Sequence, residues 1–136
     1  MDPAELKEMI KKLFTGKEGI AIIEVRSWNP LEEKLAQIKE TLCLEWHDIA
    51  RIIKISPRTL LRWRKGETSP GKKAIEIERL SKIASILEKA FPEEKARKNF
   101  LLRYDPDLKM SPYEALLKGK VLRLLRLLIE LGGIYS

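Results

Sequence analysis

The sequence predicts an all-α protein: a helix-turn-helix bundle followed by a small C-terminal helical domain, with room for one short strand near the N-terminus. Three observations carry this expectation. The stretch WHDIARIIKISPRTLLRWRK, Trp46 to Lys65, places apolar or small residues at Ile49, Ala50, Ile53, Ile55, Leu60 and Trp63, the spacing of two short helices packed across a tight turn. Helix-start signals, a capping side chain followed by a proline, recur at Asn29-Pro30, Ser56-Pro57 and Ser111-Pro112. Only Ile20 to Val25 has the β-branched content of a strand, and nothing else in the chain offers it a convincing pairing partner.

In chain order, Ala4 to Phe14 has helical spacing at Leu6, Met9, Ile10 and Leu13 and is followed by a Gly16 to Gly19 turn. The Ile20 to Val25 segment pairs with its own copy in a dimer or lies as a buried extended arm. From Asn29 a capped helix runs to about Leu42, with Glu32 placed to close a capping box and Leu31, Leu35, Ile38 and Leu42 as its apolar face. After the Trp46 to Lys65 stretch, Gly66 stops the second helix and Thr68 to Gly71 forms a loop.

A long helix is expected from Lys72 to Phe91, lined by Ile77, Leu80, Ala84, Leu87 and Phe91 and widened by Ile83 and Ile86. Three further pieces follow: Glu93 to Arg103, Pro112 to Leu117 and Lys120 to Leu131. The last confines Lys120, Arg123, Arg126 and Glu130 to one stripe and is apolar over the rest of its circumference. Such a helix is either the centre of a core or part of a protein interface. The chain thus divides into an extension over 1–28, a helix-turn-helix domain over 29–71, a linking helix over 72–91 and a C-terminal domain over 92–136.

Charge locates the partner. Basic residues exceed acidic ones by 8 to 3 in 45–73, whereas the counts are 7 to 8 in 1–44 and 12 to 9 in 74–136. A cluster of this sign favours a polyanion, because Lys and Arg that neutralise phosphates release condensed counterions. The second helix of the motif directs Pro57, Arg58, Leu61, Arg62 and Lys65 outward and Leu60 and Trp63 inward. Arginine bridges the two acceptors of a guanine edge, so Arg58 and Arg62 are the expected base readers of double-stranded DNA. Ser56, Thr59 and Arg64 are expected on the phosphate backbone. One motif reads few base pairs, which calls for a homodimer. Lys54, the ninth of the twenty motif positions, stands where the turn requires a left-handed backbone and glycine is usual, at a cost of ~1 kcal/mol.

Other chemistries find little support. The lone Cys43, between Leu42 and Leu44, excludes an internal disulfide and is expected as a small core residue. His47 has only Asp48 beside it, so no metal site or catalytic set is expected, and no glycine-rich phosphate loop or nucleophile elbow occurs. Asp105 and Asp107 flank a proline and are expected as turn residues rather than paired acids. No enzymatic activity and no cofactor are expected. The charged, amphipathic N-terminus MDPAELKEMIKK is unlike a secretory signal, and the most apolar run, Val121 to Leu131, is short and interrupted by charge. The expected location is the cytoplasm, without membrane attachment.

The order of these features resembles a known family. SPRTLLRWRKG, a long helix, DPDLKMSPYEALLKG and a leucine-rich helix ending GGIYS together resemble antitoxins of the Xre/MbcA/ParS type, over about residues 30–136. The most specific part is the spacing of Pro106, Leu108, Ser111, Pro112 and Leu116, followed by the Gly-aromatic-small ending. In that family the C-terminal region blocks a RES-domain toxin that degrades NAD, and the helix-turn-helix represses the shared operon. The resemblance implies that Gly133, Ile134, Tyr135 and Ser136 lie at or near the toxin's pocket. It implies that Pro112, Tyr113 and Leu116 shape the toxin-binding domain; Arg123 and Arg126 of the last helix are expected among the toxin-binding residues. The family's glycine pair before the Ser/Thr-Pro is replaced here by Lys109 and Met110, and residues 1–28 lie outside the match. The alternative to an antitoxin is a stand-alone transcriptional regulator whose C-terminal helices only dimerise.

Overall fold

In the computed structural model, residues 29–135, together with Pro3 and Ala4, are described. The expected helix over Ala4 to Phe14 and the Ile20 to Val25 strand, apart from Ala4, lie outside them. Residues 31–136 form one compact unit, and residues 1–30 belong to another.

Seven α-helices make up the described part: α1 (Pro30–Thr41), α2 (Trp46–Ile53), α3 (Pro57–Arg64), α4 (Ala74–Ala90), α5 (Glu94–Leu102), α6 (Pro112–Leu117) and α7 (Val121–Tyr135). A single 3₁₀ turn, Gly71–Lys73, leads into α4. The fold is all-α, and no strand occurs among the described residues. None of these helices is long and apolar enough to cross a membrane.

Side-chain hydrogen bonds fix the starts of α2, α3 and α6. Ser56 Oγ accepts the Thr59 N–H at 3.1 Å, and Ser111 Oγ accepts the Glu114 N–H at 3.1 Å, each ahead of a proline that lacks an N–H to satisfy. Between α1 and α2, the Glu45 N–H donates to Asp48 Oδ2 at 3.0 Å, half of a reciprocal capping box. Glu32, in the first turn of α1, places both carboxylate oxygens on Arg64.

Ends are equally defined. At Lys54 the backbone turns left-handed (φ 65°), the Lys54 N–H reaches the Arg51 carbonyl at 3.2 Å and the Ile55 N–H reaches Ala50 at 2.9 Å. This paired arrangement satisfies the last carbonyls of α2. The same pattern closes α1 at Cys43, α3 at Gly66 and α6 at Gly119. Cys43, expected in the core, is therefore a half-buried turn residue (φ 55°), while its neighbours Leu42 and Leu44 take the core positions. Burial pushes the Cys43 thiol above its ordinary range.

One core joins all seven helices. Leu35, Ile38 and Leu42 enter it from α1 and its end, Ile49, Ala50 and Ile53 from α2, and Leu60 and Trp63 from α3. Ile77, Leu80, Ile83, Ala84 and Leu87 run along α4, and Val121, Leu124, Leu125 and Leu128 of α7 pack against that helix in the most extensive helix pairing. The helix read from the sequence as a link is thus central, and α2 touches α6 directly. The Arg97 guanidinium ties the turn after α4 to α1, donating to the carbonyls of Thr41, Phe91 and Pro92 at 3.1, 2.8 and 2.9 Å. Beside it the Phe91 and Phe100 rings stack with centroids 5.1 Å apart.

In the loop before α6, Asp105 Oδ1 accepts the N–H groups of Asp107 and Leu108 at 2.8 and 3.2 Å, a turn role for this carboxylate. Lys109, at one of the two positions where the resembled family has glycine, is left-handed (φ 60°). At the other end, α7 continues through Gly132 and Gly133 to Tyr135, four residues beyond its expected stop at Leu131.

Two stability measurements follow from this packing. Leu80→Ala, at a fully buried position, is expected to cost about 2–5 kcal/mol in urea unfolding. In a Trp28→Phe background, far-UV circular dichroism and tryptophan fluorescence should still report one coincident transition, since Trp46 and Trp63 both pack in the core that Leu80 completes. Lys54→Gly should raise the unfolding free energy by roughly 0.5–1 kcal/mol, the left-handed strain removed less the added freedom of the unfolded chain.

Candidate nucleic-acid interface

The two-turn helix α3 is held from beneath and at both ends. Leu60 and Trp63 are buried, which fixes its rotation, and Pro57, Arg58, Leu61, Arg62 and Lys65 are exposed on the opposite side. Arg58, Arg62 and Lys65 enter no ion pair among the described residues. Three cations on one face of a short helix, free of carboxylate partners among the described residues, form a surface suited to an anionic ligand.

The three residues expected on a phosphate backbone each make contacts within the chain. The Ser56 and Thr59 hydroxyls lie 2.9 Å apart, and Ser56 also caps α3, so the pair serves the helix start. Arg64 is drawn back into the protein. Its Nε is 3.1 Å from Glu32 Oε2, its Nη2 is 3.3 Å from Glu32 Oε1, and its guanidinium lies 3.7 Å from the centre of the Trp46 ring. A planar cation between a carboxylate and an indole face satisfies charge, hydrogen bonding and stacking together. Arg64 is therefore a clamp between α1, α2 and α3 rather than an outward phosphate contact. Sequence spacing alone held no sign of this, because Glu32 and Arg64 are 32 residues apart.

Around the turn, Lys73 Nζ donates to the Ile53 carbonyl at 3.1 Å and so helps to finish α2. Arg51 and Lys54 are exposed on α2 and its turn, and a Cβ on Gly119 would lie 3.8 Å from the Lys54 side chain. The turn after α6 thus adjoins the turn between α2 and α3. Tyr113 is half-buried at the start of α6, and burial first, then the carboxylates of Asp48 in α2 and of Glu45 just before it, push its phenol above the ordinary range.

The C-terminal residues separate into three groups. Pro112 and Leu116 are buried, so they shape the domain from inside. Arg123 and Arg126 are exposed and line a groove of about 460 Å³ with Asp107, Leu108, Leu122, Leu127 and Glu130, and Arg123 Nη2 donates to the Asp107 carbonyl at 2.8 Å. Gly133, Ile134 and Tyr135 belong to the last turn of α7, and Ser136 lies outside the described residues. The groove residues Asp107, Leu108, Leu122 and Leu127 were not singled out as binding residues from sequence. Only folding brings the Asp107 loop beside α7.

His47 Nε2 lies 3.4 Å from Asp48 Oδ1 on the exposed side of α2, and among the described residues no three His, Cys, Asp or Glu side chains come together as a metal site. No family model, curated protein or solved structure matches the chain.

The contrast between the arginines of α3 is measurable. Arg64→Ala should lower urea stability by about 1–2 kcal/mol through the lost stacking and the stranded Glu32. Arg58→Ala and Arg62→Ala should each stay within about 0.5 kcal/mol of the parent protein.

Proposed function

We propose that this chain is a DNA-binding antitoxin of the Xre/MbcA/ParS kind, in which α3 reads a double-stranded operator and the C-terminal region holds a RES-domain, NAD-degrading toxin. The observation that carries the DNA part is the exposed face of α3, with Arg58, Arg62 and Lys65 free of ion pairs among the described residues and Leu60 and Trp63 anchoring the helix beneath them. A helix of this section and charge fits the major groove, where a forked guanidinium pairs with guanine. The protein acts as a homodimer on half-sites about one helical turn apart, and represses its own operon. The toxin part is supported by the sequence pattern of Pro106, Leu108, Ser111, Pro112 and Leu116 and by the groove of mixed charge in which Arg123 and Arg126 stand with Asp107 and Glu130.

A second reading, a regulator without a toxin partner, is favoured by one observation. Val121, Leu124, Leu125 and Leu128 of α7 are buried within the chain, so most of this helix's apolar surface is already covered. Leu122 and Ile129 remain exposed.

Two experiments divide these readings. Arg58→Ala and Arg62→Ala should each cost roughly 1–3 kcal/mol in affinity for the enriched operator duplex, measured by fluorescence anisotropy at fixed salt. Unchanged affinity in both variants removes α3 as the reader. Co-expression with the product of the adjacent reading frame should yield a co-purifying complex and preserve cellular NAD. Arg123→Glu with Arg126→Glu should dissolve that complex while operator binding persists. Absence of any complex leaves the regulator without a toxin.

A further inference from the structure

The exposed face of α3 is not wholly cationic. Leu61 lies at its centre, 42% exposed, with Arg58 one turn before it, Arg62 next to it and Lys65 one turn after. The helix has inward apolar positions at Leu60 and Trp63, so Leu61 is surplus to the packing of α3. A base edge in the major groove offers one apolar group, the 5-methyl of thymine. We propose that Leu61 reads a thymine methyl group, and that Leu61 and Arg58 together make the binding site require a guanine and a thymine close to one another. The proposal rests on α3 being the DNA-reading helix.

Geometry sets the spacing. Leu61 is three residues beyond Arg58, which is about 4.5 Å along a helix axis at about 1.5 Å per residue. Base pairs are stacked about 3.4 Å apart. The thymine therefore lies one or two base pairs from the guanine read by Arg58. Arg62, on the other side of Leu61, is left for a second base or a phosphate.

The test uses the full chain and chemically altered duplexes. Duplexes are enriched from a randomised pool by the wild-type protein, and the best one is remade with deoxyuridine in place of each thymine in turn. One thymine in each half-site should lose roughly three- to tenfold in affinity when its methyl group is removed. Leu61→Ala should bind the thymine and deoxyuridine versions of that duplex equally, whereas Leu61→Met should keep the preference. Replacing the nearby guanine by 7-deazaguanine should weaken the wild type but not Arg58→Ala. Circular dichroism of each variant, expected to match the parent, separates loss of reading from loss of fold. Methyl removal without effect at every thymine, or a methyl preference that survives in Leu61→Ala, overturns the role of Leu61 and leaves α3 as a DNA reader. A pool that yields no enriched duplex overturns both.

Discussion

The left-handed residue just past a helix end is the constraint on which this fold depends. Four of the seven described helices stop this way, at Cys43, Lys54, Gly66 and Gly119. The helices are short, and without a firm stop each would fray or run into the next. Two of these stops use glycine and two do not, and the residue that follows tells them apart. After Gly66 and Gly119 come the exposed Glu67 and Lys120; after Cys43 and Lys54 come Leu44, which is buried, and Ile55, which packs on the core. A side chain in the left-handed region costs on the order of 1 kcal/mol, and burying the next apolar residue offsets it. Where the next residue is exposed, at Gly66 and Gly119, the chain has glycine.

These stops feed one core, and that core decides how the two ends of the chain relate. Pairing of α4 with α7 and of α2 with α6 runs the apolar interior through every segment from Leu31 onward. A truncation after residue 91 would bare Ile77, Leu80 and Ile83 along with the helix that carries them, so loss of function in such a truncation would speak of folding. Surface substitutions at Arg58, Arg62, Arg123 and Arg126 leave that interior intact.

Most of the helical framework was legible because its signals are local. Ser56-Pro57 and Ser111-Pro112 each state a cap and a first turn within two residues, and both helices begin where those residues say. The left-handed turn at Lys54 was likewise readable from motif position. What escaped was non-local. Arg64 looked like its neighbours Arg58 and Arg62 until folding brought Glu32 and Trp46 around it. The segment boundary at 71 followed the Thr68 to Gly71 loop signal, which marks a turn and carries no information about whether the helices on either side share a core. From sequence, α7 is expected to end at Leu131, ahead of Gly132 and Gly133. Glycine costs about 1 kcal/mol in a helix interior, and α7 still runs through both to Tyr135 from a stretch anchored by Leu124, Leu125 and Leu128.

The role of Arg64 bears directly on how α3 presents its outer face. Eight residues make barely two turns, too few to hold a helix in water by backbone bonds alone. Ser56 fixes the first turn, the Gly66 stop fixes the last, Leu60 and Trp63 set the rotation, and Arg64 locks the far end to Glu32 and Trp46. With both ends and the underside fixed, the remaining freedom belongs to the side chains of Arg58, Leu61, Arg62 and Lys65. A reading face needs that division: a rigid backbone sets the register, and the exposed side chains supply the chemistry. The arginine turned inward therefore serves the other two by holding the helix from which they project.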